Sequence, residues 1–254
     1  YALVAGFDIG FVAPTLVAGI PQRAPFVAIT ADGVVRTDAP DGFDVELRRD
    51  GAVLEAFTID RHDAAIPTPY YPLGFSVDEP GDYEVVMAGT DTGVGFAVGA
   101  HDEIGLVQVG DALRPVDTPT FDDARGVDPI CTQVPEPCPY HEVTLTEALA
   151  SGRPTVFLIS TPGFCQTDIC GPVLALLVEE LGSDPEVSVV HSEVYTNPNE
   201  IDPASGQSAT TEAIGAYGLT YEPSLYVADA TGTVTARLEF TWDRTELTTA
   251  LTTL

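Results

Sequence analysis

Lysine is missing altogether. The 254 residues hold 10 basic side chains, every one an arginine, against 39 acidic ones, for a formal charge of −29. Nucleic acid is thereby a poor partner, because phosphate binding needs a basic stripe whose counterion release supplies the affinity. An anionic membrane surface is an equally poor one. The acidity itself is read as solvation and solubility, suited to a salty or extracytoplasmic setting. Clean hydrophobic runs of about 18 residues or more are also lacking. The stretch from Tyr1 to Ile20 comes nearest, but Asp8, Pro14 and several glycines interrupt it and no basic residues lead into it, so strands and turns are expected there. No direct membrane insertion is expected. The first residue is not Met, which suggests a trimmed form whose export signal or anchor has been removed.

What is present divides into two patterns. Up to about residue 115, short apolar or β-branched runs alternate with turn signals, as in an antiparallel sandwich. Strands are expected at Pro25 to Thr30, Phe43 to Leu47, Ala52 to Ile59, Leu73 to Val77, Tyr83 to Met87 and Gly95 to Val98. Asp111 to Pro129, rich in Asp, Pro and Thr, reads as an interdomain linker. Beyond it the period changes. Thr144 and Glu147 have capping-box spacing for a helix to about Ala150, and Thr155 to Ser160 reads as a buried strand. A helix is expected over 170–181, strands at 187–194, 224–228 and 234–240, a short helix over 212–217, and a last helix capped by Asp243.

Thr161-Pro162-Gly163-Phe164-Cys165-Gln166-Thr167-Asp168-Ile169-Cys170 joins the buried strand to the long helix. A sulfur at such a junction lies among unpaired backbone N–H groups at the positive end of the helix dipole, which stabilises a thiolate. A second cysteine five residues on can capture the product. The pair therefore proposes a dithiol/disulfide site. With no Lys, and Asp168 close by, only the helix terminus remains to lower the Cys165 pKa. On a regular helix five positions exceed disulfide reach, so Cys165 must precede the first full turn or that turn must unwind.

The order helix, strand, helix, strand, helix, strand, strand, helix, with cysteines after the first strand and Pro223 before the third, resembles the thioredoxin fold. Gly152-Arg153-Pro154, leading into the strand, is similar to a step of extracytoplasmic thioredoxin-like proteins. The resemblance implies a cis Pro223, in Tyr221-Glu222-Pro223, beside the sulfurs. Cys165, Cys170 and Pro223 are then the expected catalytic residues, and Phe164 and Glu222 the expected substrate-binding ones. The C-x4-C spacing departs from C-x-x-C, and Thr155 to Ser160 lacks the buried carboxylate of thioredoxins. Thr161 to Cys165 also looks like single-domain peroxiredoxins, with Phe164 as an insertion. The copper chaperones of oxidase assembly are a third relative of the fold, in which His191 would be the distant ligand. Glu79-Pro80-Gly81-Asp82-Tyr83 resembles the tyrosine corner of immunoglobulin-like domains.

The expected fold class is an α+β two-domain chain. An all-β, immunoglobulin-like sandwich over 1–112 is followed by a linker over 113–139 and an α/β thioredoxin-like domain over 140–254. Cys131 and Cys138 lie in the linker among prolines, where a covalent staple would hold chain that a core cannot. A structural disulfide is expected there, because only His141 is near enough in sequence to complete a zinc set. Two paired sets of cysteines point to an oxidising compartment. The expected function is extracytoplasmic thiol–disulfide exchange with protein thiols and disulfides, without metal or other cofactor. A non-catalytic envelope binding protein with permanent disulfides and a two-cysteine peroxidase are the alternatives.

Overall fold

The computed structural model describes residues 1–6, 15–91, 93–165, 168–182, 186–200 and 208–254. The chain is mixed α/β and forms two compact units, 1–105 and 106–254. Asp8 and Pro14, read as interruptions near the N-terminus, lie outside the described residues.

The first unit contains Ala2–Ala5 (β1), Leu16–Val17 (β2), Gln22–Ile29 (β3), Gly42–Arg49 (β4), Ala52–Asp60 (β5), Tyr71–Phe75 (β6), Gly81–Met87 (β7) and Gly93–Gly99 (β8). They make one sheet in the order β1-β3-β6 and a second in the order β2-β8-β7-β4-β5. All described pairings are antiparallel except β2 with β8. Alternation sets which side chains go inward: Val45 and Leu47 on β4, Tyr83 and Val85 on β7, and Phe96 and Val98 on β8 are buried. The β4–β5 hairpin turns through Asp50 and Gly51, both with positive φ. Tyr83 is buried and its hydroxyl donates to the Glu79 carbonyl four residues back, at 2.6 Å. Replacing Tyr83 with Phe keeps the ring and removes this bond. The variant should unfold about 1 kcal/mol more easily in a denaturant titration of the first unit.

The second unit contains Leu145–Ala150 (α1), Thr155–Ile159 (β9), Cys170–Leu181 (α2), Ser188–Ser192 (β10), a 3-10 turn at Pro198–Glu200, Glu212–Tyr217 (α3), Ser224–Ala228 (β11), Val234–Glu239 (β12) and Arg244–Leu251 (α4). The sheet order is β10-β9-β11-β12, parallel between β10 and β9 and antiparallel elsewhere. Every residue of β9 and β11 is buried, which follows from their apolar runs. Phe157, Tyr217 and Tyr226 form a ring cluster with centroids 5.1–5.2 Å apart. Val173, Leu174 and Leu177 of α2 are fully buried. The Thr144 side chain accepts from the Glu147 N–H, while the Glu147 carboxylate accepts from the Thr144 N–H, closing the expected capping box on α1.

The linker expectation is corrected. The boundary falls at 105/106, and residues 113–139 belong to the second unit. Leu113, Val116, Val127, Cys131 and Cys138 are buried in it. The Leu113 N–H donates to the Gly232 carbonyl, and the Leu145 N–H donates to the Thr118 side chain. Pro and Asp deny this stretch a regular period, but its spaced apolar side chains still find the core.

Candidate functional site

Because α2 starts at Cys170, Cys165 lies before the first helical turn, as the spacing required. The two sulfurs form a disulfide with Cα atoms 5.9 Å apart, within the usual reach. Their environments differ. Cys165 is half-buried beside the 42% exposed Phe164, whereas Cys170 is fully buried. Cys170 is the first residue of α2, so the bond holds the Cys165 sulfur at the N-terminal end of that helix.

Glu222 was expected to meet substrate. Its half-buried carboxyl accepts from the Thr161 N–H and lies 3.6 Å from the Cys170 Sγ. Burial pushes its pKa up to about 7 against the opposing pull of the Thr161 N–H, and the nearby Glu193 carboxyl raises it further. The following peptide bond, Glu222–Pro223, is cis, as the thioredoxin resemblance implied. Pro223 is buried, and its carbonyl accepts from the Phe240 N–H at 3.0 Å. Tyr221 on the other side is anchored by the Glu239 carboxylate. The loop that carries Glu222 is thus held on both flanks.

A second cluster lies at the C-terminal ends of β9 and β10. Here the structure corrects the expected Cys131–Cys138 disulfide: both are free thiols, fully buried. The Cys138 Sγ is 3.4 Å and the Cys131 Sγ 3.8 Å from the His191 Nδ1, which is itself 3.2 Å from the His141 Nε2. The four candidate ligand atoms all lie within 4.8 Å of one another. A hydrogen bond from the Cys138 thiol lowers the Cys131 pKa, and the same contact together with burial raises that of Cys138. Burial pushes the His141 pKa down.

The two clusters touch. Thr132, next to Cys131, uses its hydroxyl oxygen to accept from the Gly163 N–H of the Cys165 turn at 2.9 Å. A Cβ at Gly163 would come within 2.9 Å of the Thr132 carbonyl oxygen, so that close approach requires glycine. The buried Glu193 carboxyl, whose pKa burial lifts to about 7, accepts from the Thr132 N–H at 2.6 Å. The sequence sets His141 beside Cys131 and Cys138, but no spacing in it brings His191 to that pair. The available signal was a histidine at the end of the apolar run Val189-Val190 together with three ligand-type residues between positions 131 and 141.

No protein-family model, curated protein or solved structure matches the chain.

Proposed function

We propose that the second unit is a thioredoxin-like thiol–disulfide oxidoreductase that acts outside the cytoplasm on protein thiols and disulfides. One observation carries this reading: an accessible and a buried cysteine joined before a helix, with a near-neutral carboxyl against the buried sulfur. The sheet order, the helix α2 after β9 and the cis bond ahead of β11 support the thioredoxin-like assignment. The two antiparallel sheets and the Tyr83–Glu79 bond support an immunoglobulin-like reading of the first unit. An oxidising compartment now rests on Cys165–Cys170 alone, since the other pair is reduced. Among the described residues no helix is long and apolar enough to cross a membrane.

In the reduced protein, the Cys165 thiolate attacks one sulfur of a substrate disulfide. A mixed disulfide forms and the first substrate thiolate leaves. Glu222 then takes the proton from the Cys170 thiol. Cys170 attacks the Cys165 sulfur, and the second substrate thiolate departs and is protonated. Two electrons pass from the dithiol to the substrate, and the Cys165–Cys170 bond is remade. Phe164 offers an apolar contact to the docking chain, and the Glu222–Pro223 loop keeps the carboxylate against Cys170.

A disulfide-reduction assay on the reduced protein tests the reading. Cys165→Ser should lose all turnover, whereas Cys170→Ser should accumulate a mixed disulfide through Cys165. Turnover that survives Cys165→Ser excludes exchange through this pair. A reduction potential far below about −300 mV would assign the bond a permanent structural role instead.

A further inference from the structure

The segment from Cys131 to His141 forms neither helix nor strand, yet Cys131, Thr132, Cys138, Tyr140 and His141 are all buried. Something must hold these polar groups together. The backbone places them: the His191 N–H donates to the Tyr140 carbonyl at 2.9 Å, and the Phe121 N–H donates to the His141 carbonyl at 2.8 Å. The His191 ring is fixed from behind, with its Nε2 3.1 Å from the Ser160 carbonyl oxygen. The Ser160 hydroxyl oxygen is also 3.1 Å from Nε2; with Nε2 donating to the carbonyl, the Nδ1 lone pair faces the two sulfurs and the His141 Nε2. This is the arrangement by which a backbone carbonyl orients a metal-binding imidazole.

We propose that Cys131, Cys138, His141 and His191 bind one zinc ion in a closed tetrahedral site. Bonds of about 2.3 Å to sulfur and 2.0–2.1 Å to nitrogen at tetrahedral angles put neighbouring ligand atoms about 3.3–3.8 Å apart. The contacts to His191 Nδ1, at 3.2, 3.4 and 3.8 Å, fall in or next to that range. Two thiolates and two imidazoles suit zinc and are a poor set for magnesium or calcium. The charges also balance. Each thiol releases a proton on binding, and two thiolates neutralise the divalent ion, so the loaded site can be buried without a counter-charge. Four protein ligands leave no open position, which makes the role structural rather than catalytic. Through Ser160–His191 and Thr132–Gly163, the ion would fasten the chain directly behind the Cys165 turn. The site stands whether or not Cys165 and Cys170 exchange disulfides.

The test uses the full chain purified without chelator or reductant. Elemental analysis should find one zinc ion per chain, and the Cys165→Ser/Cys170→Ser variant should keep it. Cys131→Ser and His191→Ala should each reduce zinc to background. On the wild-type protein, which avoids any folding defect of the variants, chelation should release the zinc and expose two alkylatable thiols, mapped by mass spectrometry to Cys131 and Cys138. Cobalt(II) added to the stripped protein should give the intense visible absorption of a tetrahedral thiolate site. A Cys131–Cys138 disulfide in the native protein overturns the proposal. So does copper in place of zinc, zinc that survives both single substitutions, or two free thiols that take up neither zinc nor cobalt.

Discussion

Replacing Glu222 with Gln should slow resolution of the mixed disulfide by about a hundredfold or more, the scale on which a positioned general base contributes. The first attack by Cys165 should be nearly unchanged. Gln keeps the size of the side chain and, through its carbonyl oxygen, the bond from the Thr161 N–H, but it cannot take the proton from Cys170. In the wild type the resolution rate should climb as pH rises through about 7, where the half-buried carboxyl ionises, and the variant should lose that limb. Stopped-flow measurement on the mixed disulfide separates the two steps. Equal rates and equal pH slopes in both proteins would exclude Glu222 as the proton acceptor. Stability gives an independent check with the opposite sign. The folded-state pKa is raised from 4.5 to about 7, so between those values the native state holds a proton that the unfolded chain has lost. Stability therefore falls as pH rises across that window, by at most on the order of 3 kcal/mol at roughly 1.4 kcal/mol per unit. The Gln variant should lack this contribution and be the more stable protein at neutral pH.

Local signals carried far in the second unit. The capping box at Thr144, the helix over Cys170–Leu181 and the strand Ser224–Ala228 all lie where short-range patterning puts them. In each, a cap residue or an apolar run decides the local outcome before tertiary packing does. The site depends instead on residues far apart in the chain. Cys170 and Glu222 are 52 positions apart, and Cys131 and His191 are 60 apart. Nothing in the spacing of either pair encodes its meeting. Thr155 to Ser160 lacks a carboxylate, so the strand itself offers no acid to the buried sulfur. The chain supplies one from the loop before β11, which enters alongside β9 because those strands pair. The stretch 113–139 misled for a related reason: prolines remove periodicity without removing burial, and composition registers only the first. Sheet membership in the first unit was likewise not legible. Alternation says which residues face inward, but not that β3 joins β1 and β6 while β4 joins β7 and β5.

The loop that carries Glu222 depends on a buried charge pair, so the second large effect should appear at Arg237. Its guanidinium pairs with the Glu239 carboxylate, and the two side chains are only 6% and 9% exposed. The Tyr221 hydroxyl donates to that carboxylate and accepts from Arg237 at 3.4 Å, while its ring stacks on Phe240 at 4.4 Å. Arg237→Met leaves Glu239 buried without its cation and should cost about 3–5 kcal/mol. For a protein of this size that lowers the unfolding midpoint by on the order of 10 °C. Arg237→Met/Glu239→Met removes both charges together and should recover most of the loss. What remains is the roughly 1–3 kcal/mol of a Tyr221 hydroxyl stripped of its acceptor. Calorimetry on the two variants decides the matter: a double variant no more stable than the single one would mean that the pair itself, and not the avoided lone charge, stabilises the fold. Because Tyr221 immediately precedes Glu222, the single variant should also slow disulfide resolution, and the double variant should regain part of that rate as the loop settles back against Cys170.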